Sequence, residues 1–257
     1  MYTLGIDIGS TTSKCAVIKD GKELVAHSLQ TGGLGTGGPE EAMAQLWQSC
    51  GLTRQDMACA FVTGYGRKNY EGADGEISEL TAHALGGRFV FPDLRTVIDI
   101  GGQDAKVIAL SPFGKMVNFV MNDKCAAGTG RFLDVMASIL RLDVDALDTE
   151  AAKATAPAAI SSTCTVFAES EVISQLANGV KRPDLVAGIC RSVASRVAAL
   201  ARRAGVTERV CLSGGVAQND AVRQALSDEL NVPVSVDPLA QYFGAIGAAL
   251  WAYKQQV

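Results

Sequence analysis

The chain is poor in the residues on which common catalytic devices depend. Only two histidines, His27 and His83, occur in 257 residues, so a Cys–His nucleophile pair has little material. None of the seven cysteines forms a Cys-x-x-Cys, and an odd number cannot close into a full disulfide set, so most are free thiols or ligands. Excess positive charge is missing as well: 23 Lys and Arg against 27 Asp and Glu leave a formal net charge of −4, and basic residues form nothing longer than pairs such as Arg202-Arg203. That gives no electrostatic footprint for nucleic acid or an anionic membrane surface. No apolar run approaches the roughly 20 residues that cross a bilayer, and the first strand starts without a charged leader. A cytoplasmic protein with neither nucleic-acid nor membrane partners is expected.

What the chain does have is core material: 48% hydrophobic content can bury one large domain or two closely joined subdomains. Its organisation shows in an internal echo, where "GIDIGSTTSKCAVI" at 5–18 returns in outline as "VIDIGGQDAKVIAL" at 97–110. Each reads as strand, Asp-x-Gly, tight turn and strand, and Asp7 stands seven positions before Lys14 as Asp99 does before Lys106. Around the hairpins, helical patterns at 40–51, 75–85, 129–140, 165–177, 185–204, 221–230 and 244–253 alternate with strand-like pieces at 59–63, 210–213 and 234–236. The expected fold class is α/β with mixed sheets. "TGGLGTGGP" at 31–39 is expected as a mobile loop rather than a domain boundary.

Two acidic residues, each ending a strand and followed by a glycine turn, suit a nucleotide with a bound metal. Gly9, Gly101 and Gly102 let backbone N–H groups approach phosphate oxygens, Ser10, Thr11 and Thr12 add hydroxyls, and Lys14 adds charge. Asp7 and Asp99, joined by Asp104, then hold Mg²⁺ through water, because Mg²⁺ dehydrates reluctantly. Either hairpin alone reads more readily as an ordinary turn. A third piece, "CLSGGVAQN" at 211–219, is strand, Gly-Gly turn and helix start, in which Gly214, Gly215 and Gln218 can approach a purine or ribose; a plain βα turn is the alternative.

The three pieces in this order resemble the phosphate-1, phosphate-2 and adenosine motifs of the actin, sugar-kinase and heat-shock-chaperone ATPase superfamily. The resemblance implies two ribonuclease-H-like (actin-like ATPase) subdomains around a nucleotide cleft. They are expected at 1–92, with the C-terminal helix of about 240–257 packing back on it, and at 93–239. "ISELTAHALGG" at 77–87 is similar to the connecting helix that carries a catalytic Glu in the chaperones. It gives Glu79 that candidate role, with Gln103 as a second group to orient the attacking water. A solvated helix carboxylate is the alternative for Glu79, and His83 reads as a packed or capping residue without a catalytic role.

Kinases and chaperones of this kind have no use for Cys125 in "NDKCAAGTGRFLDVMA" or Cys164 in "ISSTCTVFAESEVISQLA". Each precedes a helical pattern and so lies near the positive end of a helix dipole, which suits a nucleophile or a metal ligand. Cys15, Cys50, Cys59, Cys190 and Cys211 fall in strand or helix interiors, where packing is the default. An iron–sulfur cubane takes about four thiolates, and two symmetry-related chains can supply them without a Cys-x-x-Cys.

Together with the ATPase motifs, these segments resemble over nearly the whole chain the activator components of 2-hydroxyacyl-CoA dehydratases, most of all the 2-hydroxyglutaryl-CoA type. The ATPase subunits of benzoyl-CoA reductases are related. The resemblance implies an anaerobic homodimer bridged by one 4Fe-4S cluster on Cys125 and Cys164 of both chains. It further implies that ATP turnover drives an electron into a dehydratase component, with ferredoxin or flavodoxin as donor. The alternatives are a small-molecule kinase of the same fold, whose cysteines merely pack, and a non-redox ATP-dependent binding switch. The acyl-CoA itself is not legible, because it binds the partner enzyme.

Overall fold

The computed structural model describes residues 1–161 and 164–257; Ser162 and Thr163, just ahead of Cys164 in the second cysteine motif, lie outside the described residues. In chain order the elements are β1 (Tyr2–Ile8), β2 (Thr12–Lys19), β3 (Glu23–Thr31), α1 (Gly38–Cys50), β4 (Met57–Thr63), β5 (Gly75–Glu76), α2 (Glu79–Val90), β6 (Thr96–Ile100), β7 (Ala105–Leu110) and β8 (Met116–Asn122). There follow α3 (Gly130–Ile139), α4 (Leu147–Ala151), α5 (Thr165–Ala177), α6 (Arg182–Ala204), β9 (Val210–Ser213), α7 (Asp220–Leu230), β10 (Val234–Ser235) and α8 (Phe243–Lys254). The strands form two five-stranded sheets, ordered β3-β2-β1-β4-β5 and β10-β9-β6-β7-β8. The protein is α/β, in two compact units: Met1–Leu94 with Leu110–Val117 and Asp237–Val257, and Arg95–Ala109 with Asn118–Val236.

The first unit follows from strand alternation. β1 pairs antiparallel with β2, from Tyr2↔Lys19 to Ile8↔Ser13, and parallel with β4. Leu4, Ile6, Ile8, Cys15 and Val17 point to one face and form a core with Ala42 and Leu46 of α1. Ala16 and Ile18 point to the other and meet Ala245, Ile246 and Ala249 of α8, so the last helix covers the first strands. In β4, Ala60 and Val62 join the α1 face, while Phe61 packs on the α8 side with Ala82 and Ala248; alternation puts Thr63 on that same side. The α2–α8 crossing is close enough that any side chain at Gly247 would run into the Ala82 backbone.

α2 starts at Glu79 rather than at 75, as the helical pattern predicts, for two local reasons. Gly75 and Glu76 pair with Phe61 and Val62 as β5, and Ser78 caps the helix by accepting from the Thr81 N–H at 3.2 Å. The glycine-rich loop at 31–39 is also not free: Ser13 donates to the Gly32 carbonyl at 2.7 Å, and the Gly32 N–H donates to the Thr11 carbonyl at 2.7 Å.

The second unit repeats the hairpin. β6 pairs antiparallel with β7 from Thr96↔Ala109 to Ile100↔Ala105, and parallel with β9 from Thr96↔Val210 to Asp99↔Ser213. All three strands are buried along their whole length, as in a sheet covered on both faces. The 23-residue α6 packs against α3, α4, α5 and α7. Among the described residues no helix is long and apolar enough to cross a membrane.

Candidate functional site

The two Asp-led hairpins are built alike. In the first, the Gly9 N–H donates to the Thr12 carbonyl at 3.0 Å, and Asp7 faces Lys14 with 3.9 Å between Oδ2 and Nζ. In the second, the Gly101 N–H donates to the Asp104 carbonyl at 2.9 Å. Asp99 there faces Lys106, whose Nζ lies 3.5 Å from Asp99 Oδ2 and 2.7 Å from Asp104 Oδ2. The seven-residue Asp–Lys spacing is therefore one hairpin register used twice. Both carboxylates are almost wholly buried, Asp7 at 5% and Asp99 at 3% exposed, and buried charge requires a partner.

The likeness continues into a third strand. β4 sets Thr63 beside Asp7, and β9 sets Ser213 beside Asp99, in the same parallel register. Each hydroxyl residue is followed by a glycine with positive φ, +90° at Gly64 and +85° at Gly214. A Cβ at Gly64 would strike the Ile8 carbonyl and the Asp7 carboxylate, and one at Gly214 the Ile100 carbonyl and the Asp99 carboxylate. Ser213 Oγ donates to Asp99 Oδ1 at 2.8 Å. Thr63 Oγ1, by contrast, is buried without a hydrogen-bond partner. The motif reading found the Ser213 turn and missed the Thr63 turn; the available signal was the shared strand-hydroxyl-Gly pattern, "VTG" against "LSG".

Hard oxygen donors, glycine turns open to close backbone approach and an orphan hydroxyl beside a carboxylate fit a magnesium nucleotide. Ser10 and Thr12 are half-buried in the first turn and Thr11 is exposed; Gly102 and Gln103 in the second turn, and Gly215 and Gln218 after β9, lie at or near the surface. Glu79 is more than a solvated helix carboxylate. Its Oε1 is 3.1 Å from Arg67 Nη1, which also donates to the Gly64 carbonyl at 3.0 Å, so Glu79 is tied to the turn that follows Thr63. Sequence reading did not single out Arg67. His83 is buried within α2.

Among the cysteines, Cys125 and Cys164 are exposed, Cys50 is half-buried and the rest are buried. Burial pushes the Cys15 and Cys190 thiols up to about 12, and raises those of Cys59 and Cys211. Those four stay protonated, which makes them poor ligands and nucleophiles.

The two exposed cysteines do not sit alike. Cys164 is itself the N-cap of α5, whereas residues 126–129 separate Cys125 from α3. The first N–H groups of α3 are already engaged, Gly130 donating to the Gly101 carbonyl at 2.9 Å and Arg131 to the Gly102 carbonyl at 2.8 Å. The positive end of α3 thus faces the β6–β7 turn, which corrects the expectation of a helix mouth at Cys125. Asn122 shapes the cysteine turn instead, its Nδ2 donating to the carbonyls of Cys125 at 2.8 Å and Ala127 at 3.2 Å. Cys125 lines a cavity of about 240 Å³ with Arg196 and Arg203, and the Arg196 guanidinium lies over the Phe132 ring at 5.4 Å. Among the described residues no group of three or more His, Cys, Asp or Glu side chains is placed to hold a metal ion. The accessible thiols of one chain, two in number, fit half the donor set of a cubane.

Two mixed sheets with paired Asp-x-Gly hairpins are an architecture that sugar kinases share. A glucokinase of the ROK family from Streptomyces griseus superimposes with a TM-score of 0.60 at 16% identity, covering 99% of this chain and all of that one, which shows the shared fold alone. The chain belongs to the BadF/BadG/BcrA/BcrD ATPase family, whose sequence pattern matches residues 4–252. The (R)-2-hydroxyglutaryl-CoA dehydratase activating ATPase of Acidaminococcus fermentans is 57% identical over 99% of this chain and 98% of its own length. The crystal structure of component A of that dehydratase, also from Acidaminococcus fermentans, superimposes with a TM-score of 0.96, covering 99% of this chain and 98% of its own. An activator of the 2-hydroxyisocaproyl-CoA dehydratase from Clostridium difficile, solved with bound ADPNP, is 51% identical with a TM-score of 0.96, covering 99% of this chain and 95% of that one.

Proposed function

We propose that this ATPase activates a 2-hydroxyacyl-CoA dehydratase by coupling Mg-ATP turnover to delivery of one low-potential electron. The activator names of the similar proteins support the class of partner, and their different acyl groups agree with a substrate bound by the dehydratase rather than by the activator. In this reading Asp7, Asp99 and Asp104 hold magnesium through water. The turns bearing Gly9, Ser10, Thr11, Thr12 and Lys14, and Gly101, Gly102 and Gln103, take phosphates, while Gly214, Gly215 and Gln218 serve the adenosine. Glu79, oriented by Arg67, and Gln103 position the attacking water. Cys125 and Cys164 from each of two copies bind one 4Fe-4S cluster, which when bound supplies the transferable electron. Each electron delivered is replaced by one from ferredoxin or flavodoxin. The dehydratase lends its electron to the substrate and regains it once water has left, so the activator acts as a starter.

One observation carries the coupling: α3, the helix that follows Cys125, begins on the carbonyls of the nucleotide turn, through Gly130 to Gly101 and Arg131 to Gly102. A nucleotide that moves this turn moves the start of α3. The test uses anaerobically purified, reduced protein mixed with a 2-hydroxyacyl-CoA dehydratase component. Dehydration is expected with ATP and not with ADPNP, and only from iron-loaded protein. Activation by iron-free protein, or activation indifferent to nucleotide, contradicts the proposal.

A further inference from the structure

The hydroxyl of Thr63 is the one side-chain oxygen or nitrogen among the described residues that is buried with no hydrogen-bond partner. The residue is 0% exposed, at the end of β4. Buried hydroxyls are normally paired, and an orphan one marks a group kept for something it meets only part of the time. Its position says what that is. Thr63 lies directly beside Asp7 in the parallel β1–β4 register, on the sheet face that also carries Lys14, and Gly64 lets its backbone lie close against the Asp7 carboxylate. The second unit holds the same device in its satisfied form, where Ser213 in the same register donates to Asp99. Thr63 makes no such bond to Asp7, so its hydroxyl remains available to a ligand oxygen gathered at that carboxylate.

We infer that Thr63 is a further nucleotide-site residue, and that its hydroxyl bonds an oxygen of the magnesium nucleotide at Asp7, either a metal-bound water or a phosphate oxygen. The inference rests on the placement of nucleotide at Asp7, so the test includes a variant that examines that placement by itself. Binding of ADPNP is measured by calorimetry with and without magnesium, and melting is recorded without nucleotide, for the whole chain and its T63V, T63S and D7N variants.

T63V should melt above the parent without nucleotide, since a methyl replaces an unsatisfied hydroxyl of the same shape. It should bind Mg-ADPNP about tenfold more weakly, the loss of one hydrogen bond, while T63S keeps parental binding and melts lower for the buried methyl that it loses. A loss that needs magnesium places the hydroxyl on the metal's water shell; a loss in both arms places it on phosphate. Parental affinity in T63V with weakened binding in D7N overturns the inference and leaves the nucleotide site standing. Parental affinity in both removes the nucleotide from Asp7, and the inference with it. Lower melting of T63V also overturns it, because the hydroxyl then has a partner in the free protein. If T63V does not fold, T63A against T63S gives the same binding comparison.

Discussion

Asp7 and Asp99 carry the same chemistry with different insurance. Lys106 is 4% exposed and sits between Asp99 and Asp104, so it keeps one carboxylate when the other is neutralised. Lys14 pairs with Asp7 at the longer distance of 3.9 Å. Asp7→Asn and Asp99→Asn should each reduce Mg-ATP turnover by at least about tenfold and leave iron content unchanged, because in the proposed site the carboxylates serve magnesium and the thiols serve the cluster. Steady-state hydrolysis beside iron analysis checks this, and near-parental turnover in both variants would sink the magnesium assignment. Glu79 meets a guanidinium nitrogen of Arg67 that is itself fixed to the Gly64 carbonyl. Glu79→Gln should lower kcat about tenfold or more with ADPNP affinity changed by less than about twofold, because a water-positioning group acts chiefly in the transition state. Arg67→Gln should follow it in part, and Arg67→Lys should restore some of the loss. Equal losses in kcat and affinity would make Glu79 a binding or structural residue.

At the scale of elements, each hairpin was legible because a turn of fixed length forces its Asp and Lys opposite one another, and the spacing survives in the sequence. The Thr63 turn was not legible, because a hydroxyl followed by glycine is ordinary turn chemistry until parallel pairing with a distant strand puts it beside Asp7. The surroundings of Cys125 were hidden for the same reason, since Arg196 and Arg203 reach its cavity from α6. α6 also anchors the chain that leads toward Cys164. Asp184, 6% exposed in its first turn, accepts from the N–H groups of Thr155 and Ala156, each at 2.8 Å. The bond from Ala156, with that from Thr155, holds the Asp184 carboxyl below its usual range. A depressed carboxyl stabilises the fold above the unfolded pKa, about 3.9, and the contribution fades as pH falls through the lower folded value. Asp184→Ala should therefore melt below the parent by a constant interval above about pH 5, with the interval closing below about pH 4. A gap independent of pH across that range would assign the effect to packing.

At the scale of the whole molecule, the proposed electron transfer needs a metal site that one chain's described residues do not assemble, while two exposed cysteines per chain are available to build one between copies. The buried thiols are separate in kind. Serine at Cys15, Cys190 or Cys211 should keep the cluster, at a packing cost of about 1–3 kcal/mol for a hydroxyl in apolar surroundings. Symmetry doubles every substitution, so Cys125→Ser or Cys164→Ser removes half of the proposed ligand set from the pair of chains. The most direct measurement is iron and sulfide per protein in anaerobically purified parent, Cys125→Ser and Cys164→Ser proteins. The account predicts about four irons per two chains in the parent and essentially none in either variant. Retention of that iron in either variant, or a parent without iron and sulfide that still hydrolyses ATP, would contradict it and leave a nucleotide-driven switch without redox chemistry.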